Sequence, residues 1–275
     1  MSMSRLCMIV LGLASITSAC GGSSSKSGGP DGELRPGYEG PSLQAPILDP
    51  PRLEFNFADA RLKQEITVGP ASMLGKFLFE KGVYSHRIGF KVTNLLETTR
   101  CFMRLDLRAD GYQSPGLMGM TFVRGRLMKV GPGSTNTCLE PGGTGFVVDD
   151  VESRLPEPRT LTLHGIDDNG HGAEAEPLNE VSVLSQTLTS DGFKVVLRND
   201  ALPDGLDTLG FTKWVITSGD AILEWGFLDI SSSRDKTVVP LNETVEITVS
   251  AFLKGSLPQN ARLHIIMDSM EDWNS

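Results

Sequence analysis

The chain is poor in most of what catalysis or membrane spanning needs. Among its 275 residues are four histidines, three tryptophans and three tyrosines. No G-x-S-x-G elbow, H-E-x-x-H pair or Walker A loop occurs, which removes the hydrolase, zinc-protease and nucleotide-binding readings that rest on those motifs. Positive charge is also short: 25 Lys and Arg stand against 34 Asp and Glu, a formal net charge of −9. That balance argues against nucleic acid and against docking on anionic lipid. The first long apolar run, Leu6 to Ile16, is eleven residues, well below the roughly 20 that a spanning helix needs. Beyond it no stretch has the period of a long amphipathic helix; "DARLKQEI" at 59–66 reads as one helical turn or an edge strand.

What is present begins at the N-terminus. Arg5 supplies one positive charge, Leu6 to Ile16 form a signal-length apolar core, and Thr17, Ser18 and Ala19 are small. Cys20 follows, and the chain then turns to "GGSSSKSGGPDG" and stays rich in Gly, Ser and Pro to Pro51. "TSAC" resembles the lipobox of bacterial lipoproteins, with Thr17 where that family most often has Leu. The resemblance implies cleavage before Cys20, a diacylglycerol on its thiol, and Cys20 as the mature N-terminus. More than one acyl chain suits the physics, since a single chain binds membranes only marginally. Gly21, rather than Asp, after the cysteine implies the outer membrane by that family's sorting habit. Residues 1–19 are thus expected as the signal peptide and 20–51 as a disordered tether with a reach of about 30 Å.

Cysteine usage is sparse. Cys7 leaves with the signal and Cys20 is claimed by lipid, so Cys101 and Cys138 remain. In an oxidising compartment two cysteines most simply form one disulfide. A metal site is the competing reading, although neither cysteine has a second ligand at C-x-x-C or C-x-x-H spacing.

From Arg52 to Ser275 the pattern is that of strands. "CFMRLDLRA" alternates strictly from Cys101 through Met103, Leu105 and Leu107 to Ala109, and "ETVEITVSAFL" does so from Val245 to Leu253. "IGFKVTN" sets Ile88, Phe90 and Val92 on one side; "RTLTLHGI" and "ARLHIIM" follow the same rule. This is the period of half-buried antiparallel strands, and turn signals such as "ADGY", "EPGG", "DDNGHG" and "PDG" separate them. Several stretches recur about 100 residues apart, the size of one sandwich domain. "GFKVTN" matches "GFKVVLRN" with Phe90 set against Phe193, "EPGGTGFVV" matches "LNETVEITV", and "LHGIDD" matches "LHIIMD". A tandem duplication accounts for them; convergence of common turn and strand habits is the alternative.

These repeats resemble the immunoglobulin-like modules of bacterial envelope lipoproteins. The implied fold is all-β, with two tandem immunoglobulin-like antiparallel β-sandwich domains at 52–176 and 177–275. The cysteine pair of antibody domains is absent, since Cys101 opens a middle strand and Cys138 precedes a later one. Fold does not carry function. The expectation is a non-catalytic, lipid-anchored envelope protein, its head in the periplasm or at the surface, that binds or braces another envelope protein or glycan. The alternative is a periplasmic or surface hydrolase, or a glycan-binding adhesin.

Site expectations are few. Asp167, Asp168 and Asn169 are calcium candidates, because oxygen ligands in a flexible loop suit that ion; their spacing is not that of an EF-hand, and a plain interdomain loop also accounts for them. His164 and His264 are expected on solvent faces opposite the core leucines, and His86 and His171 beside turns. Trp214 and Trp225 are expected in or near the core, and Trp273 at the surface. No cofactor is implied.

Overall fold

The computed structural model describes residues 38–39 and, between 50 and 266, the segments 50–80, 82–101, 103–112, 120–131, 134–168, 175–177, 181–190, 192–200, 213–227, 239–250 and 257–266. Cys20, Asn169, His171 and Trp273 lie outside them. Within the expected tether, Tyr38–Glu39 forms β1, with Tyr38 opposite Phe77 and Glu39 opposite Lys76.

Strands dominate, as the alternation predicts. The first part contains β2 (Arg52–Phe57), the four-residue helix α1 (Leu62–Glu65), β3 (Ile66–Val68), β4 (Ala71–Glu80), β5 (Val83–Asn94), β6 (Arg100–Cys101) and β7 (Arg104–Ala109). It continues with β8 (Met120–Arg124), β9 (Arg126–Gly131), β10 (Ser134–Leu139), β11 (Thr144–Ser153), β12 (Thr160–Asp167) and β13 (Glu176–Pro177). The second part holds β14 (Val181–Leu188), β15 (Gly192–Asn199), β16 (Lys213–Ser218), β17 (Ala221–Phe227), β18 (Thr244–Ser250) and β19 (Ala261–Ile266). "DARLKQEI" becomes both of its options, one helical turn that runs into the edge strand β3.

In the first part β2, β12, β7 and β8 form one layer, and β3, β5 and β11 another. β4 pairs with β2 on one edge and β5 on the other, and β8 pairs with β11 at Phe146 and Val147, so the layers are joined at both sides. The core between them is built from the inward positions the sequence marks: Ile88, Phe90, Val92, Leu105, Leu107, Leu161 and Leu163 are fully buried. A separate four-stranded sheet, β13-β9-β10-β6, holds Cys101 directly opposite Cys138, and their sulfurs are bonded. Cys101 is therefore not the first residue of the β7 strand; it belongs to the two-residue strand β6, inward like β7 but over its own small cluster with Met128.

The second part is two three-stranded sheets, β14-β15-β18 and β17-β16-β19, closed over Phe193, Val195, Leu197, Trp214, Ile216 and Leu263. Its strand order reproduces that of the first part: β3-β5-β11 corresponds to β14-β15-β18, and β12-β7-β8 to β19-β16-β17. One local device recurs in detail. Asn94 ends β5, and its amide donates to the Leu139 carbonyl at 3.0 Å; Asn199 ends β15 and donates to the Val239 carbonyl at 2.9 Å. The Asn94 carbonyl accepts from Gly142 and its N–H donates to Gly143; the Asn199 carbonyl accepts from Asn242 and its N–H donates to Glu243. Gly142 and Asn242 have φ of 70° and 66°, the left-handed conformation that Gly and Asn tolerate best.

This correspondence aligns Ile88 with Phe193 and Phe90 with Val195. It is two residues away from the sequence match of Phe90 with Phe193. A shift of two leaves every side chain on its face, so alternation by itself cannot detect it.

Candidate functional site: the joint between the two strand sets

Among the described residues no strand pairing crosses from β1–β13 to β14–β19. Side chains join them instead. Leu74 and Val148 pack against Val215, Ile222, Trp225 and Ile266 in a second apolar cluster. Trp225 donates from Nε1 to the Ile88 carbonyl at 2.9 Å, and the Arg87 guanidinium lies 3.9 Å from the Trp225 ring centroid while donating to the Trp225 carbonyl. Lys91 donates to the Gly219 carbonyl at 2.8 Å and pairs with Asp220 at 3.2 Å. Gly89 lets the two sides of the joint approach closely: a Cβ there would stand 2.9 Å from the Ile222 side chain and 3.1 Å from that of Leu74, so these side chains would have to shift. Buried aromatic contact with a satisfied indole N–H is the kind of anchor that holds two surfaces together.

Beside the joint lies a groove of about 350 Å³. Arg124 and Arg126 at the β8–β9 corner and Thr144 and Phe146 of β11 form its first wall; Val183 and Gln186 of β14 and Leu263 to Ile266 of β19 form the second. Arg126 reaches the Glu140 carboxylate at 3.9 Å. Gln186 Oε1 accepts from the backbone N–H of Leu263 at 3.1 Å. Val183 and the adjacent Leu184 are both exposed because a register irregularity after Val183 breaks the alternation of β14.

His264 lies in this wall. Its ring centroid is 4.9 Å from that of Phe146, and Nε2 is 3.0 Å from Thr217 Oγ1. Burial, with the Lys91 charge as a smaller cause, holds its pKa below the usual histidine range. The expectation of a solvent face is thus corrected for His264: the side of the sheet turned from the core is covered by the first strand set. His164, at the matching position in β12, is exposed as expected. His86 is corrected too. It is fully buried in mid-β5 with Nε2 2.9 Å from the Leu155 carbonyl, and burial lowers its pKa.

The remaining candidates are dispersed. Asp167 is exposed at the end of β12, and Asp168 is taken by Arg100, which also bonds Glu65 at 2.8 Å. Among the described residues no three His, Cys, Asp or Glu side chains stand together to hold a metal, and no helix is long and apolar enough to cross a membrane. Trp214 and Trp225 are buried, as expected. The alternation of "ARLHIIM" marks Leu263 and Ile265 as inward, whereas Arg124, Arg126 and Gln186 carry no mark in the sequence. Comparison with family models, with curated proteins and with solved structures found no match to this chain.

Proposed function

We propose that this chain is a lipid-anchored protein of the cell envelope, held at the outer membrane through Cys20, whose head is two copies of one immunoglobulin-like sandwich and serves as a binding or bracing body. The observation that carries the reading is the lipobox-like "TSAC" directly followed by a Gly/Ser/Pro tether. The paired cysteines support it, since such crosslinks belong to oxidising compartments. The repeated asparagine device and the shared strand order support duplication, and the side-chain joint would make two modules one stiff contact surface. The partner is an envelope protein or glycan.

Fractionation tests the anchor. Cys20→Ala is expected to leave the salt-washed membrane pellet and appear in the soluble exported fraction. A variant that still sediments with membranes would remove lipid attachment as the mechanism. Assays of the exported protein on peptidoglycan, polysaccharide, ester and peptide substrates separate binding from hydrolysis, because turnover abolished by one Asp, Glu, Ser or His substitution contradicts a bracing role.

A further inference from the structure

The β4–β5 hairpin and the β11–β12 loop meet at one end of the first strand set. Lys76 stands opposite His86 and Leu78 opposite Tyr84 in the β4–β5 register, and Tyr84 stands opposite Ser153 of β11. Residues directly opposite, or two apart on one strand, share a face. Lys76, Leu78, Tyr84 and His86 therefore lie on the side that the loop crosses. The loop is held there at several points. His86 Nε2 is 2.9 Å from the Leu155 carbonyl, and Lys76 reaches Glu157 at 3.9 Å. One Asp110 carboxylate oxygen accepts from the backbone N–H groups of Arg159 and Thr160 at 2.8 and 3.0 Å. Leu155 lies against Gly111, where a Cβ would stand 2.6 Å from the leucine side chain. With these ties, and with Pro156 and Pro158 in "RLPEPR", the loop has little freedom left to lose on contact. Together the loop and the hairpin turn apolar surface to solvent: Leu78 is 52% exposed and Leu155 41%, and Tyr84 is half-buried beside them. Arg154 and Arg159 flank that surface and are exposed.

The place where the N-terminal segment joins the head indicates what covers this surface. Tyr38–Glu39 pairs with β4 on the side away from β5, Tyr38 opposite Phe77 and Glu39 opposite Lys76. The Gly/Ser/Pro segment that starts at Cys20 thus reaches the head beside Phe77, the residue before Leu78, and residues 21–37 are its free length. A Gly-rich chain of that length has an r.m.s. reach of about 20–25 Å. We propose that this end of the first strand set is a membrane-contact surface: Leu78 and Leu155 seat in the lipid bilayer that holds Cys20, with Tyr84 at headgroup level and Arg154 and Arg159 beside the lipid phosphates. The proposal rests on the reading of Cys20 as a lipid anchor and adds the orientation of the head. A short tether keeps the surface at high effective concentration near the bilayer, so two leucines too weak to bind alone suffice. The contact is apolar and does not need anionic lipid, which a net charge of −9 would disfavour. It turns Leu95, which follows the far end of β5 and is 47% exposed, away from the membrane. Leu95 stands about 35 Å along β5 from Tyr84, by the rise of an extended strand.

The test uses the full exported chain reconstituted in phosphatidylcholine vesicles that carry a trace of phospholipid with a photoactivatable diazirine in its acyl chain. Lipid adducts mapped by mass spectrometry are expected at residues 76–84 and 153–159, at least about fivefold above those at 95–98, because side chains seated in lipid meet the acyl chains. Leu78→Glu combined with Leu155→Glu sets two carboxylates in the contact, so adducts at both segments should fall about tenfold. The melting transition should be kept, since both leucines are exposed. Raising the salt to about 0.5 M should leave the wild-type pattern unchanged, because apolar insertion is not screened. Three results would overturn the proposal. One is an even yield of adducts over 76–84 and 95–98, which means that the head turns freely on its tether. Another is a yield indifferent to the double substitution. The third is no adduct at 76–84 or 153–159, which means that the chain's own residues, a second copy or a protein partner cover the surface. If Cys20 carries no acyl group, its thiol is coupled to a maleimide phospholipid and the same mapping is made. Failure of the anchor and failure of the contact therefore remain distinct.

Discussion

Asn94 and Asn199 are each fully buried at the end of a strand, a costly place for an amide unless its hydrogen bonds are made. Asn199 Nδ2 is met by the Val239 carbonyl; Asn94 Nδ2 faces those of Thr98, Leu139 and Glu140 at 2.8, 3.0 and 3.4 Å. Each asparagine ties the end of one strand to the turn that launches its neighbour. Removing the amide leaves buried carbonyls unpaired, so Asn199→Ala is expected to cost about 1–3 kcal/mol in urea unfolding. Asn199→Asp should cost more, because it sets a carboxylate oxygen against a carbonyl where a donor stood. Equal stability of Asn, Asp and Ala at this site would contradict the account. The asparagines were visible in the sequence as strand endings in "KVTN" and "VLRN". Their partners were not, since a bond across some forty residues leaves no local mark.

Alternation made the individual strands legible. "RLDLRA" of β7 places Leu105, Leu107 and Ala109 inward and leaves Arg104, Asp106 and Arg108 half-buried, as its period requires. Strand partners were less legible, because any two inward-facing rows satisfy the same pattern. The disulfide shows the difference. Its existence is what the cysteine count led one to expect, but its place, across β6 and β10 in a small sheet apart from the main core, depends on pairing. A bond that closes a separation of 37 residues stabilises by roughly 3–4 kcal/mol on the chain-entropy model. Cys101→Ser with Cys138→Ser should therefore lower the urea midpoint. Non-reducing peptide mapping of the exported wild type should recover the two cysteines joined; two freely alkylated thiols would refute the bond.

At the scale of the whole molecule the joint determines behaviour. Trp225 is the buried aromatic of the cluster between the two parts, with its indole N–H satisfied by Ile88 of β5 and its face covered by Arg87. Wild-type protein is expected to melt in one transition because neither part can open without exposing this cluster. Trp225→Ala removes the ring and the hydrogen bond together, at about 3–5 kcal/mol by the usual cost of large-to-small core changes. It should split the calorimetric trace into two transitions, and a single transition of wild-type width would show that the parts are coupled elsewhere.

By itself, the sequence determined which residues face inward and where turns break the chain, because a strand's faces alternate with period two whatever the strand packs against. It also left Cys101 and Cys138 as the cysteines to be paired. Only the tertiary structure decided what becomes of the second face of each sheet. His164 and His264 share a sequence pattern, yet the first is exposed and the second is packed on Phe146, because only β19 has another strand set laid against it. Leu163 and Leu263 likewise share a pattern but not an edge, since β2 pairs beside the first and, among the described residues, no strand pairs on the outer side of the second. Periodicity encodes the direction a side chain points, whereas the neighbour it meets depends on where distant segments of the chain have gone.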